Sequence, residues 1–365
     1  MKGLYVHVPF CVSKCAYCDF YSVAGRLDLI PSYLDAVLAE ARRHAGLSFE
    51  TLYLGGGTPS LLEAGGLRQL MEGLGRSFDL SRVTEATIEV NPESASGECL
   101  RAALETGFRR VSIGVQSLSD AELRSVGRAH NALQAAEAVS RAAELGFGDV
   151  SADAMVGLPG QRSVGPTLQR LVSLGVSHVS LYCLSLEPGT PLALHPPGGL
   201  PSEDEQADLF EGARAWLEDL GFVHYEISNF CRPGRECRHN VNYWRGGEYL
   251  GLGPSGASHL GGRRWRNPAD LDAYLGHPGA AVEEMEELGP GEKAAEEAML
   301  RLRLLCEGLA ADDMVERFGP EAMKGVLARL DALTADGLLV RDGSRYRLPP
   351  GRVLTCNPIL ARVLA

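Results

Sequence analysis

Six short runs of aliphatic and β-branched residues recur through the first half of this chain, at 3–8, 51–54, 86–90, 110–115, 149–155 and 178–183. Amphipathic stretches lie between them. Residues 31–45 place Leu34, Val37, Leu38 and Ala41 at helical spacing, and 131–145, 164–174 and 203–220 behave in the same way. Strands joined by helical crossovers run parallel, and right-handed crossovers stack the helices on the sheet. An α/β fold with a parallel sheet follows. Six units favour a partial (β/α)6 barrel; pattern alone leaves an open doubly wound sheet as the other arrangement. In either, ligands bind at the carboxyl ends of the strands. The chemically capable residues collect there. Three cysteines follow the first strand, a glycine run follows the second, and Glu89 ends the third. Gln116 follows the fourth, Asp153 sits late in the fifth, and Ser185 follows the sixth.

Beyond residue 225 the pattern changes, which suggests three units: 1–225, a connecting segment 226–288, and 289–365. The middle segment holds aromatic, glycine and histidine residues in irregular order. The last reads as helices over 292–305, 309–318 and 320–333. A hairpin of 337–340 and 345–348 follows, turning at Asp342-Gly343. Three helices and a hairpin are winged-helix-like. That shape usually suggests nucleic acid, but a net charge of −12 gives phosphate no electrostatic attraction, so no nucleic-acid partner is expected. No uninterrupted apolar run is long enough for a transmembrane helix, which leaves only a peripheral membrane contact open. The apolar run near Met1 is too short for an export signal. The chain has nine cysteines, an odd number, with three of them crowded within eight positions. That argues against a disulfide set and for a reducing cytoplasm.

Cys11, Cys15 and Cys18 are separated by three and then two residues. Three thiolates at this spacing can wrap one face of a cubane cluster. Such clusters usually take four cysteines, so three leave one iron open. Spacing alone also admits zinc, with His7 or another residue as the fourth ligand. Gly55-Gly56-Gly57-Thr58-Pro59 closes the second strand. Its glycines let the backbone approach a ligand and take positive φ, and Thr58 and free amides can hold a charged group. Taken alone, such a run is often only a tight turn.

The cysteine spacing, the aromatic Tyr17 before the last cysteine, and the Gly-Gly-Gly-Thr-Pro run together resemble the radical S-adenosylmethionine superfamily. The resemblance implies a [4Fe–4S] cluster on Cys11, Cys15 and Cys18. It implies S-adenosylmethionine chelated to the open iron through its amino and carboxylate groups, and cleavage to a 5′-deoxyadenosyl radical by one electron that a reductant protein supplies. It also implies cofactor contacts from Tyr5, Tyr17, Gly56, Gly57, Thr58, Glu89, Gln116, Arg128, Asp153 and Ser185. Glu89 lies among apolar neighbours in Thr87-Ile-Glu-Val-Asn-Pro-Glu93, where a carboxylate needs a cationic partner such as the ligand's ammonium. Gln116 and Asp153 suit ribose hydroxyls, and Arg128 suits a carboxylate.

Tyr5-Val-His-Val-Pro-Phe-Cys11, Gly114-Val-Gln-Ser117 and Gly157-Leu-Pro-Gly-Gln161 are similar to the coproporphyrinogen dehydrogenase-like branch over roughly residues 1–260. Some of its members bind a second S-adenosylmethionine. Two kinds of protein occur in that branch. Oxygen-independent coproporphyrinogen III dehydrogenases carry a fourth cysteine two residues after the third, and an extension before the first strand. Here Phe20 takes that position and the first strand starts almost at Met1. Haem chaperones of the branch carry an aromatic after Cys-Asp and the pattern His-Asn-x-x-Tyr-Trp, present as His239-Asn-Val-Asn-Tyr243-Trp244. The resemblance therefore implies haem as cargo, acceptor haemoproteins as partners and His239 as a haem contact, with oxidative decarboxylation of coproporphyrinogen as the alternative. An imidazole can ligate haem iron and aromatic rings can cover the macrocycle. Read without the family, a histidine beside Tyr and Trp is more often packed or hydrogen-bonded. His7, His224 and His259 read as structural, though the glycine-rich turn before His259 can line a site. Cys99, Cys183, Cys231, Cys237, Cys306 and Cys356 have no cluster spacing and read as ordinary thiols.

Overall fold

A computed structural model describes residues 1–280, 282 and 284–364. The six expected strands lie side by side, all parallel and in sequence order. They are β1 Lys2–Val8, β2 Thr51–Gly56, β3 Glu85–Val90, β4 Arg110–Gln116, β5 Asp149–Val156 and β6 His178–Cys183. Helices α1 Ile30–Arg43, α2 Glu63–Ser77, α3 Gly97–Glu105, α4 Ala132–Leu145, α5 Gly165–Ser173 and α6 Glu203–Asp219 follow the successive strands. Alternate strand residues face opposite sides. Leu4, Val6, Leu52, Leu54, Ile88, Val111, Ile113, Val150 and Ala152 pack with the helices in the main core. The other face is polar. Tyr53, Thr87, Glu89, Arg110, Ser112, Ser151, Asp153, His178 and Ser180 line one inner cavity of about 40 Å³. Residues from five adjacent strands meet around so small a space because the sheet curls into a partial barrel.

The sheet does not stop at six strands. At one edge β7 Val223–Glu226 and β8 Asn229–Cys231 run antiparallel to their neighbours. At the other, β9 Glu248–Leu252 is a seventh parallel strand beside β1. Strands β10 Ala257–Leu260, β11 Arg263–Arg266 and β12 Glu284–Glu287 continue from it, each antiparallel to the last. Much of the irregular-looking segment 226–288 is thus built onto the barrel sheet. Positions 281 and 283 of that segment, and 365 of the last, lie outside the described residues.

Helices α7 Arg238–Trp244 and α8 Leu271–Gly276 fall within this added region. The C-terminal part comprises α9 Pro290–Arg301, α10 Ala311–Phe318, α11 Pro320–Ala335 and α12 Cys356–Leu364. A small antiparallel sheet of 309–310, 340–342 and 345–347 completes the winged-helix-like arrangement. Ala294, Ala298, Leu302, Met323, Val326, Leu330, Ile359 and Val363 join the same continuous core as the barrel. No helix among the described residues is long and apolar enough to cross a membrane.

One buried carboxylate ties the added strands to the barrel. Glu40 on α1 accepts hydrogen bonds from the Gly253 amide at 2.9 Å, from Asn267 Nδ2 at 2.7 Å and from the Tyr274 hydroxyl. Burial pushes its pKa up, against the opposing pull of those three donors. Glu40→Leu leaves the Gly253 amide and the Tyr274 hydroxyl unpaired, and Asn267 Nδ2 with only the Gly253 carbonyl, and is expected to cost about 3 kcal/mol in urea unfolding. Glu40→Gln keeps an acceptor and is expected to lose about half as much. Equal midpoints for wild type and the leucine variant would show that this carboxylate does not clamp the fold.

Candidate active site

The cysteines lie on the loop that leaves β1. Phe10–Cys11 pairs in parallel with Val23–Ala24, closing the loop at its base. The Ala16 amide donates to the Val126 carbonyl at 3.1 Å, fixing the loop's far side. All three thiols line a cavity of about 340 Å³. Thr58 Oγ1 donates to Cys11 Sγ at 3.6 Å, and Arg128 Nη1 to Cys15 Sγ at 3.4 Å. Donors aimed at sulfur favour thiolates. Burial, and then the charges of Cys15 and Cys11, push the Cys18 thiol up, so three thiolates here call for a cationic centre. Among the described residues, no three His, Cys, Asp or Glu side chains form the array that a single metal ion needs.

The rest of the cavity wall comes from the carboxyl ends of the strands. Gly56 and Gly57 end β2, Glu89 lies on β3, Ser112, Gly114 and Gln116 on β4, and Asp153 and Met155 on β5, with Tyr182 and Ser185 at the end of β6. Gly57 is required by close approach, since a Cβ there would stand 2.6 Å from the Phe10 carbonyl oxygen. Gln116 has φ +66°, at a register shift between β4 and β5. Such a shift bends the strand and re-aims the side chain, here to the cavity wall.

Two of the carboxyl groups on this wall, Glu89 and Asp153, are borne on the strands themselves. Glu89 Oε1 accepts from the Tyr53 hydroxyl at 2.7 Å and Oε2 from the Gly56 amide at 3.1 Å. Burial, reinforced by the charge of Asp153, raises its pKa to about 7 despite those bonds. Asp153 accepts from Ser112 Oγ at 3.3 Å and is raised to about 6 by burial, against hydrogen bonds from Ser180 and Ser112. No Lys, Arg or His forms an ion pair with Glu89 among the described residues. A withdrawn carboxylate without a cation, open to a cavity, is suited to a cationic ligand.

A second cavity of about 580 Å³ adjoins the first and shares Phe20, Gly56 and Glu89 with it. Its walls include Tyr5, Tyr21, Tyr243, Trp244 and Tyr249, with Glu296 and Leu300 from α9. Phe20 is two-thirds exposed at the junction.

The sequence-predicted residues divide between these spaces. Tyr17, Gly56, Gly57, Glu89, Gln116, Arg128, Asp153 and Ser185 surround the first cavity with the three cysteines. Tyr5 lies on the second. Thr58 is on neither wall: its hydroxyl is buried between Asn91 Nδ2, which donates to it at 2.8 Å, and Cys11. The Gly56 and Gly57 amides are not free either, because they donate to Glu89 and to the Val8 carbonyl. The glycine run therefore supplies space rather than donors. Arg128, expected on a carboxylate, donates through Nη2 to Asn91 Oδ1 at 2.9 Å and to the Gly114 carbonyl at 2.6 Å.

His239 differs most from expectation. It is buried, with Nδ1 at 2.8 Å from Thr51 Oγ1 and Nε2 at 2.8 Å from the Tyr243 hydroxyl. Its ring stacks on Tyr53, and burial lowers its pKa to about 3. It lies on neither cavity wall. Helix α7 turns it inward against β1, where Gly3 leaves room for the ring. The histidines on the second cavity are His7 and His259, both read as structural from sequence. Asn91, which links Thr58 to Arg128, was also missed. Its place at the end of β3 was the available signal.

The partial barrel, the cysteine loop and the glycine run define a radical S-adenosylmethionine protein. The Radical SAM superfamily matches residues 5–162 and the HemN C-terminal domain matches residues 288–353. Heme chaperone HemW of Mycobacterium tuberculosis is 37% identical, over 96% of this chain and 92% of that one. Heme chaperone HemW of Bacillus subtilis is 33% identical, over 100% of this chain and 99% of that one. The chain belongs to the HemW family. The solved structure of Escherichia coli HemN, a coproporphyrinogen III oxidase described as a radical SAM enzyme, has a TM-score of 0.86 at 25% identity. That match covers 99% of this chain and 89% of the other. Superfamily membership implies a [4Fe–4S] cluster and S-adenosylmethionine. The first cavity fits them through three thiols on one loop, two donors aimed at sulfur, and a carboxylate lacking a cation.

Proposed function

We propose that this chain binds haem and passes it to acceptor haemoproteins, with a [4Fe–4S] cluster and S-adenosylmethionine in the first cavity. The observation that carries the reading is the end-to-end likeness to heme chaperone HemW of Bacillus subtilis. Phe20, at the position where a fourth cysteine stands in the dehydrogenases, supports it.

In this reading Cys11, Cys15 and Cys18 hold the cluster. When bound, the cluster supplies an open coordination position and a single electron to S-adenosylmethionine. Glu89 accepts a hydrogen bond from the ligand's amino group, and Gly56 and Gly57 leave room for its methionyl chain. Gln116, Asp153 and Ser185 take polar groups of the nucleoside, and Tyr17 walls the cavity. Arg128 and Thr58 act on the sulfurs of Cys15 and Cys11, orienting ligands rather than binding the nucleoside. Tyr5 belongs with the second cavity. The three units 1–225, 226–288 and 289–365 serve as barrel, aromatic-rich wall and cover. A reductant protein supplies the electron, and the expected compartment is the cytoplasm.

The likeness to HemN favours a second reading, oxidative decarboxylation of coproporphyrinogen III. Anaerobically reconstituted protein separates the two. The expected result is saturable binding of ferric haem, transfer to an apo-haemoprotein, and no conversion of coproporphyrinogen III with S-adenosylmethionine and dithionite. Turnover to protoporphyrinogen would install the second reading. Absence of haem binding would end the first.

A further inference from the structure

Two histidines, His7 and His259, line the second cavity, a third, His239, touches its wall through Tyr243, and of the three only His259 has a ring nitrogen without a hydrogen-bond partner among the described residues. His7 has both nitrogens engaged, Nδ1 with the Tyr5 hydroxyl at 3.1 Å and Nε2 with the Tyr21 carbonyl at 2.9 Å. His239 is equally committed, to Thr51 and Tyr243. His259 donates from Nδ1 to the Gly247 carbonyl at 3.3 Å, and its Nε2 has no hydrogen-bond partner among the described residues. It is half-buried and lines the cavity. A ring whose Nδ1–H is fixed on a backbone carbonyl keeps the Nε2 lone pair available, which is how metal-ligating histidines are oriented.

The surroundings suit a flat apolar ligand. His259 stands opposite Tyr249 in the register of β10 against β9, with ring centroids 6.0 Å apart. Tyr249 packs edge-on to Tyr243 at 4.6 Å. Tyr243 and Trp244 continue the wall, and Phe20 bounds it on the cluster side. The volume lies within the ordinary range of cofactor pockets, about 300–1,000 Å³. Arg264 is also on the wall, but its guanidinium is paired with Glu296. It is not a spare cation for a carboxylate, so recognition falls to the iron and the aromatic faces.

We propose that the second cavity is the haem site and that His259 Nε2 is the protein ligand to its iron. This rests on the haem-binding reading above. It assigns the iron to His259, with His239 acting only through its hydrogen bond to Tyr243.

The test uses the full-length, anaerobically reconstituted protein and two probes, ferric haem and metal-free protoporphyrin IX. His259→Ala is expected to weaken ferric haem by about tenfold to a hundredfold. It should also remove the nitrogen-ligand signature from the optical and electron paramagnetic resonance spectra. Added imidazole should restore that signature, which a merely misfolded variant cannot do. Protoporphyrin IX, having no iron, should bind wild type and His259→Ala alike. His239→Ala should keep the iron signature. Wild-type spectrum and affinity in His259→Ala would overturn the assignment while leaving haem binding intact. Loss of the signature in a folded His239→Ala would do the same. If the wild type binds no haem, the functional reading fails and this inference with it.

Discussion

Cys15→Ser is expected to leave the reconstituted protein without its cluster. Three thiolates are the minimum protein ligand set for a cubane with one open iron. A serine hydroxyl at this position neither ionises near neutral pH nor matches iron's preference for sulfur. Cys15 is also the thiol that Arg128 addresses, so the change replaces the sulfur acceptor of a buried guanidinium with a shorter hydroxyl. Iron and sulfide retention should fall by more than about a hundredfold, since even losing an outer-sphere partner costs tenfold to a hundredfold in metal affinity. Binding of S-adenosylmethionine, measured calorimetrically under anaerobic conditions, should fall with it. Cys183 provides the control. It lines the same cavity, but burial raises its thiol to about 11, and it lies outside the loop that carries the other three. Cys183→Ser is expected to keep full iron and sulfide. A cluster that survives in Cys15→Ser, or disappears in Cys183→Ser, would break the assignment of ligands.

What the sequence made legible, and what it hid, has a physical pattern. The six parallel strands were readable because buried parallel strands appear as short apolar runs punctuated by glycine and helix signals. Strand ends then placed Gly56, Glu89, Gln116 and Asp153 in one cavity, because the fold brings carboxyl ends together regardless of spacing along the chain. Helix α2 was not among the predicted helices. Its segment contains Gly65, Gly66, Gly73 and Gly75, which suppress helix propensity. Gly73 is there for packing, since a Cβ would strike Leu38 of α1. Strand β9 was hidden for a related reason. It is short and glycine-bearing, and a Cβ on Gly251 would run into the Ala257 backbone. The histidines were the hardest to read. His239 stands before Tyr243 and Trp244 and His259 after a glycine-rich turn, and the difference that matters lies in whether the second ring nitrogen is already satisfied. That depends on partners such as Thr51, 188 positions away, which no local pattern reports.

Glu89→Gln is expected to reduce S-adenosylmethionine affinity by about thirtyfold to a hundredfold at pH 8, from the loss of a charge-assisted hydrogen bond of about 2–3 kcal/mol. The near-isosteric amide keeps its oxygen for the Gly56 amide and can donate from Nε2 to the Tyr53 hydroxyl oxygen, so the cavity should retain its shape. The pH dependence carries the argument further. In the ligand-free protein the Glu89 pKa is raised, chiefly by burial, to about 7. A cationic ligand whose amino group donates to the carboxylate binds the ionised form, so wild-type affinity should climb from about pH 6 to about pH 8, while the glutamine variant stays nearly flat. Asp153, raised to about 6, faces the same cavity and ionises first on the way up. The stability effect has the opposite sign. A carboxyl whose folded pKa lies above its unfolded one stabilises the fold fully only below the unfolded value, and that contribution is lost as pH rises through the folded value. Relative to Glu89→Gln, the ligand-free wild type should therefore lose thermal stability as pH rises from about 4.5 to about 7 and change little above that, and S-adenosylmethionine should restore it increasingly as Glu89 ionises around pH 7. Calorimetric titrations at pH 6 in buffers of different ionisation heat should detect a proton released on binding by the wild type but a smaller release by the variant. Parallel pH profiles for the two proteins would remove Glu89 from the recognition of the ligand's charge.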